Sequence, residues 1–331
     1  SLLHNSPKGV ARELKEGFVS VPKGCSIRLE KVAQSHILNN IRKAISTRAG
    51  LIERIRYFEE DTGQACTLHN FLHYYGMQPE VLYHRDSFQR LCVEAGVRED
   101  FFEPLEEDLK SAWPRLAMMD SERWISVLQR FLSTADRRPE DELFLKMFYV
   151  TVWGKVPDSF SDEEARENLD KIRQSPVLRE EMESLFAYRK DTLDLEHRPL
   201  HGTALDLHAH YTRDQLFAAL GETHVGVREG VKYLPDKKTD VFLVTLDKAE
   251  KDYSPTTMYE DYSVDERHFH WQSQSTTDEN SPTGKRYQNH GKMSSKVLLF
   301  VREKKTNRFG KAGVYTCLGY CDYVKHEGRS R

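Results

Sequence analysis

The sequence predicts an α+β chain in which an all-helical N-terminal domain precedes a mainly β unit of small-barrel size with one or two helices. Three observations carry this reading. From about residue 36 to 190, apolar residues recur at three- and four-residue spacing, as on one face of a helix. After residue 240 they gather instead into short β-branched and aromatic runs separated by Gly, Pro, Asn, Asp and Lys clusters. Between the two, Arg189–His208 is polar and irregular, with Pro199 and Gly202, the composition of a boundary. The expected divisions are a tail over 1–35, a helical domain over 36–195 and a β-barrel unit over 196–331.

The tail opens polar and contains one short extended stretch, Val21 to Leu29. Helical spacing then begins with Ile37, Leu38, Ile41 and Ile45 and is clearest at Trp124, Val127, Leu128 and Phe131. About eight helices are expected before residue 190. Thr67 is placed to cap a helix over Leu68–Tyr75 that Gly76 ends. Ser161 to Glu164 reads as a capping box, and Ser175-Pro176 puts proline at a first helical position. The run from Phe71 to Leu82 has the outline of a helix-turn-helix, but its second half offers few basic or amide residues, so two core helices are the better reading. Past the boundary, Thr212-Arg-Asp-Gln215 opens one further helix that Gly221 closes. Strands are expected over 241–246, 269–275, 297–301 and 313–319. The chain reaches Arg331 without a closing strand, so the expected barrel could be incomplete.

Composition narrows the function. With 31% charged residues and no apolar run near the length of a bilayer, a transmembrane span is not expected, nor is a membrane partner, and no signal peptide opens the sequence. The five cysteines form no CxxC pair, which fits reduced thiols and a cytoplasmic setting. Ser at position 1 suggests a piece of a longer protein. The net charge of −3 hides an asymmetry: 28 basic against 33 acidic residues over 1–195, then 21 against 19 over 196–331. Residues 285–311 hold nine Lys or Arg and one acid, Glu303. A local basic face of this kind can hold a phosphate backbone whatever the overall pI.

Catalytic constellations find little support. His290-Gly-Lys292 begins a phosphodiesterase HxK motif, but Val297 stands where the aspartate belongs. Glu303-Lys-Lys305 offers half of a metal-dependent nuclease site, for which only Asp240 or Asp278 could be partners. His208-x-His210 and His268-x-His270 have strand spacing that metals use, but lack further ligands, so no metal site is expected. Phosphate-binding glycine motifs are absent, and no cofactor is expected in this chain.

A base pocket is the remaining constellation. Tyr253, Tyr259, Tyr262, Phe269 and Trp271 fall close together with Asp261, and Gln272, Ser273 and Gln274 follow. A flipped base needs rings to stack on and polar groups matching its edge, such as a carboxylate accepting from a cytosine amino group. Phe269 and Trp271 serve equally well as core residues of a small barrel, and both readings stay open. The expected site therefore comprises Tyr253, Asp261, Tyr262, Trp271, Gln272, Ser273 and Gln274 for the base. Lys248, Lys285, Arg286, Lys292 and Arg302 are expected on the DNA backbone.

These stretches also resemble a known bacterial domain. They are Val241-Phe-Leu-Val-Thr-Leu-Asp-Lys248, Met258-Tyr-Glu-Asp-Tyr262, Phe269-His-Trp-Gln-Ser-Gln274, Val297-Leu-Leu-Phe-Val-Arg-Glu303 and Leu318-Gly319. The domain, formerly of unknown function, lies C-terminal to superfamily 2 helicases that carry a phospholipase-D-type nuclease. Residues 21–46 are similar to the junction after the helicase core. The resemblance implies an SRA/PUA-like small barrel and membership of a type IV, modification-dependent restriction system active in phage defence. It also implies upstream helicase and nuclease domains that would use ATP and magnesium. The partner it implies is double-stranded DNA carrying a modified cytosine, 5-methylcytosine or similar, read by base flipping. This chain itself is then not an enzyme. The glycine-rich signature of eukaryotic SRA domains is missing, so pocket residues rest on their own chemistry. The rival expectations are an interaction or autoinhibitory module docking on a helicase, and a metal-dependent nuclease using Glu303 and Lys305.

Overall fold

A computed structural model of the chain describes residues 46–134, 136–155, 160–193, 197–222, 226–227, 230–247, 261–273 and 277–327. Its helices before the boundary are α1 (Arg48–Arg56), α2 (Phe58–Thr62), α3 (Leu68–Tyr75), α4 (Pro79–Tyr83), α5 (Phe88–Ala95), α6 (Glu106–Lys110), α7 (Trp113–Ala117), α8 (Glu122–Thr134), α9 (Glu142–Trp153), α10 (Asp162–Gln174) and α11 (Pro176–Asp191). Beyond it come β1 (His210–Tyr211), α12 (Arg213–Ala219), β2 (Val231–Leu234), β3 (Thr239–Asp247), β4 (Tyr262–Ser263), β5 (Phe269–His270), α13 (Pro282–Gln288), β6 (Lys296–Lys304) and β7 (Tyr315–Cys321). These are eleven α-helices among the described residues against about eight expected, and four of them, α2, α4, α6 and α7, are only five residues long. Five residues make little more than one turn, too short for a spacing pattern to repeat.

Two compact units share the chain. One runs to Met119 and adds 129–136 and 166–194; the other takes 120–128, 137–165 and everything from 195. The first is helical. Thr67 Oγ1 accepts from Asn70 N–H at the start of α3, and Gly76 ends that helix at φ 57°. Ser175 Oγ accepts from Leu178 N–H, with Pro176 at the first position of α11. The start of α10 belongs to the second unit, and there half of the expected capping box is present: Ser161 accepts from Glu164 N–H at 3.0 Å, while the Glu164 carboxylate takes Lys155 Nζ instead. The segment with a helix-turn-helix outline is core, since Phe71, Leu72, Tyr75, Leu82 and Tyr83 are all buried. The Phe71 ring lies 5.7 Å from both Phe58 and Phe88, stitching α2, α3 and α5 together. Glu181 of α11 is buried in this interior and accepts the N–H groups of Phe88 (2.6 Å) and Gln89 (3.2 Å), two orphan donors of the α5 start. Burial pushes its carboxyl up to about 7.

The second unit is built on a five-stranded mixed sheet of order β1-β7-β6-β3-β2. Neighbours are antiparallel except β3 and β6, which run parallel with Asp240 opposite Val297 and Thr245 opposite Arg302. One face presents Phe242, Val244, Val297, Leu299 and Val301 and is covered by Tyr287 of α13 with Phe269 and Trp271. The other carries α12, whose Phe217 ring centre lies 5.1 Å from Lys232 Nζ on β2. Helix α9 packs on α12, where Gln215 Nε2 donates to Thr151 Oγ1 at 2.9 Å. The capping box at Thr212 and Gln215 forms in both directions. At the start of α8, Ser121 Oγ and Arg123 Nε each donate to buried Asp206 at 2.6 Å.

The expected barrel does not close. Among the described residues β1 and β2 end the sheet on opposite sides, and the strands between them leave it open. The end strands are short, two residues in β1 and four in β2, and among the described residues each pairs with a single neighbour, so the two edges stay apart; the central pair β3–β6 is parallel. Parallel strands need a crossover, supplied here by the segment that includes α13, and helices or side chains on both faces. Such strands read as continuous apolar runs rather than as alternation, and Val241–Leu246 and Val297–Val301 are runs of that kind. The architecture is mixed α+β, with a helical N-terminal part and a sheet-containing C-terminal part. Among the described residues no helix is long and apolar enough to cross a membrane. Cys66, Cys92, Cys317 and Cys321 carry free thiols, and Cys25 lies outside the described residues.

Candidate functional site

The site grows from the face of the sheet that carries α13. Phe242, at the middle of β3, points to this face because it alternates with Val241 and Leu243. Ser281 caps α13 by accepting from Gly284 N–H, Pro282 sits at its first position, and the helix lays Tyr287 across Phe242 at 5.2 Å, edge to face. Trp271 completes the cluster, with its ring centre 4.1 Å from Phe242 and 5.5 Å from Tyr287. Trp271 and Phe269 remain half-buried. These two residues pack on the sheet and still present surface.

Polar groups frame the aromatic wall. Asp261 Oδ1 accepts the backbone N–H of Gln272 at 2.9 Å, which ties the segment after β5 to the start of β4. Tyr262 is exposed and stacks on His270 at 4.7 Å and 15°. The short loop from β4 to β5 is held by Asp265, which accepts the N–H groups of Arg267 and His268 at 2.8 Å. Those hydrogen bonds, Arg267 N–H first, keep its carboxyl below the usual carboxylate range.

Beneath Tyr287 lies a buried ion pair. Arg286 Nε and Nη2 hold the two oxygens of fully buried Asp240 at 2.7 and 2.8 Å, and the guanidinium stacks 3.9 Å from the centre of the Tyr233 ring. The hydrogen bonds that Arg286 donates to Asp240 raise its pKa above the ordinary value, so the cation is fixed. The Tyr287 hydroxyl is buried and has no hydrogen-bond partner among the described residues, and burial raises its pKa.

The structure separates the residues expected on the DNA backbone. Lys285 and Lys292 are exposed. Arg286 is committed to Asp240 as above. Arg302 Nε donates to Thr245 Oγ1 at 2.9 Å and its guanidinium lies 4.5 Å from the centre of Tyr315, on the opposite face from Trp271. Among the residues expected at the base, Asp261, Tyr262, Trp271 and Gln272 are brought together around β4, β5 and the sheet, and half-buried Ser273 follows Gln272. Tyr253, Gln274 and Lys248 lie outside the described residues.

Sequence reasoning passed over Phe242, Tyr287 and Tyr233. The signal for α13 was present: Ser281-Pro282 repeats the Ser175-Pro176 signature of α11. Two rejected motifs acquire structural roles. His290 of the HxK fragment is buried, facing Ser295 O through Nδ1 and accepting Tyr323 N–H at Nε2 (2.9 Å). Asp240, one possible nuclease partner, is the buried anion under Arg286.

Residues 205–331 match the model of a family described as a domain of unknown function (DUF3427). The match begins beside Asp206 and takes in all the strands, but covers well under half of the chain. No curated protein matches the sequence.

Proposed function

We propose that residues 196–331 form a DNA-recognition module that reads a modified cytosine, 5-methylcytosine or similar, by base flipping. The observation that carries this reading is the half-buried Trp271, anchored on Phe242 and Tyr287 and bordered by Asp261, Tyr262 and Gln272. A partly exposed ring anchored in this way suits a stacked base, and stacking of this kind contributes about 1–3 kcal/mol per base. Gln272, Ser273 and Gln274 would offer hydrogen bonds to the base edge. An unpartnered Tyr287 hydroxyl in an apolar wall adds a donor close to the rings. Lys285 and Lys292 would hold phosphates, while Arg286 and Arg302 stiffen the scaffold. Burying one methyl group is worth only about 0.8 kcal/mol, so modest methyl preference is expected.

The family resemblance supports placing this module in a modification-dependent restriction system. In that setting the reading domain does the work of an SRA domain from an open sheet, and a helicase and nuclease encoded upstream would supply ATP- and magnesium-dependent steps. The module itself then needs neither, and the cytoplasm is where such a system would act.

The test is a titration of the chain with matched duplexes, unmodified and cytosine-methylated, at two salt concentrations with and without magnesium. Tighter, salt-sensitive binding of the methylated duplex without cleavage is expected. Equal affinity for both duplexes would remove methyl reading. No binding at low salt would favour a protein-docking module, and magnesium-dependent cleavage would favour a nuclease.

A further inference from the structure

Four lysines gather where β3 and β6 begin. Lys237 and Lys238 belong to the turn from β2 into β3, and Lys296 opens β6. Lys296 N–H donates to Lys238 O at 2.8 Å, which fixes the two side by side. Lys292 lies in the loop from α13 to β6, whose far end returns through Ser295 N–H to His290 O at 2.8 Å. All four are exposed, and none joins an ion pair among the described residues. Tyr320, 41% exposed on β7, stands in the same group, with Lys296 Nζ 4.8 Å from its ring centre.

The backbone here is held in an unusual way. Lys238 and Ser294 have φ of 46° and 51°, in the left-handed region where turn chemistry favours Gly or Asn. A lysine at such a position keeps a charge on the turn at the expense of strain. At the other end of the same strands the cations are answered differently. Lys304 faces Asp247 at 3.5 Å, Glu303 is its neighbour, and Arg308 folds over Phe309 at 4.8 Å.

We infer that this lysine end of the sheet grips the phosphate backbone of the duplex whose base is read at Trp271, with Lys237, Lys238 and Lys292 acting from the strand end and Lys296, beside Tyr320, from the rim of the opposite face. The inference rests on the DNA-reading proposal above. Phe242, the anchor of Trp271, stands four residues along β3 from Lys238, about 13 Å at the rise of a strand. Phosphates flanking a base held at Trp271 therefore come within reach of long lysine side chains. Lys237 and Lys238 lie outside the segment 285–311 that sequence alone marked as most basic, while Lys292 and Lys296 lie within it.

The experiment compares the chain with K237Q/K238Q/K292Q/K296Q on one methylated and one unmodified duplex across a salt series. Each lost phosphate contact lowers the slope of log K against log salt by about 0.9, so a fall of about 3.6 is expected for the four lysines. The methylated-to-unmodified affinity ratio should stay unchanged, because phosphate contacts carry no base information. The variant K304Q/K305Q/K311Q should change the slope less. If the quadruple variant fails to fold by circular dichroism, K237Q and K292Q alone carry the test, each lowering the slope by about 0.9. A slope equal to that of the unaltered chain, with methyl preference intact, overturns the lysine end and leaves base reading standing. A chain that binds no duplex at low salt overturns both.

Discussion

Glu181 in the helical unit and Asp240 in the sheet unit are both buried carboxylates, yet they are satisfied by different means. Glu181 accepts two backbone N–H groups at the start of α5, and burial lifts it to about 7. Asp240 is gripped by both nitrogens of a guanidinium that also stacks on Tyr233. The first arrangement leaves the carboxyl open to a proton near neutral pH. The second holds the carboxyl in a bidentate pair with a guanidinium directly under the aromatic wall. The contrast separates a packing device from a scaffold: one unit uses a buried acid to cap a helix, and the other uses one to fix the strand and helix that present Trp271.

Breaking the ion pair gives the largest expected effect. Arg286→Ala leaves Asp240 buried and uncompensated, and a loss of about 3–5 kcal/mol is expected in urea unfolding of the chain. Replacing both partners, as in D240L/R286M, should recover most of it, because the apolar pair leaves no buried charge. Full destabilisation of the double variant would mean that the pair is not the source.

Glu181 provides the pH test. Its folded carboxyl keeps a proton to higher pH than in the unfolded chain, so the folded state binds more protons between about pH 4.5 and 7. Stability from this group is therefore greatest below that window, falls as pH rises through it, and levels off above, by on the order of 3 kcal/mol. Thermal melts should show this decline in the chain and not in Glu181→Gln. A decline of the same size in the glutamine variant would assign it to other groups.

The smallest effect concerns α12, whose cap sits on the sheet unit away from the face that carries Trp271. Thr212→Ala removes the acceptor for Gln215 N–H and is expected to cost about 1 kcal/mol of stability by chemical denaturation. DNA affinity measured below the melting transition should not move; a loss of binding would tie α12 to the interface.

The two units also differ in how much of them can be read from residues alone. Helix ends are legible wherever a side chain caps the backbone, as at Thr67, Ser175 and Thr212, because the cap is local chemistry. The strands of the parallel pair are legible as apolar runs, but their direction is not, since it depends on a crossover far along the chain. Nor is closure legible, since it depends on which strands end the sheet, and an open sheet stands where a barrel was expected. At the site, Trp271, Asp261 and Gln272 were legible from type and proximity. Phe242 and Tyr287 were not, because a ring inside an apolar strand or short helix looks like core until its neighbours are placed. The commitments of Arg286 and Arg302 were equally hidden: their partners Asp240 and Thr245 lie 46 and 57 residues away.

The most direct measurement compares the chain with Trp271→Ala on duplexes with and without 5-methylcytosine. The unaltered chain should bind the methylated duplex more tightly. The variant should lose about 1–3 kcal/mol on that duplex, with the preference shrinking toward equality. Equal affinities in the unaltered chain, or a preference that survives removal of Trp271, would contradict base reading at this wall.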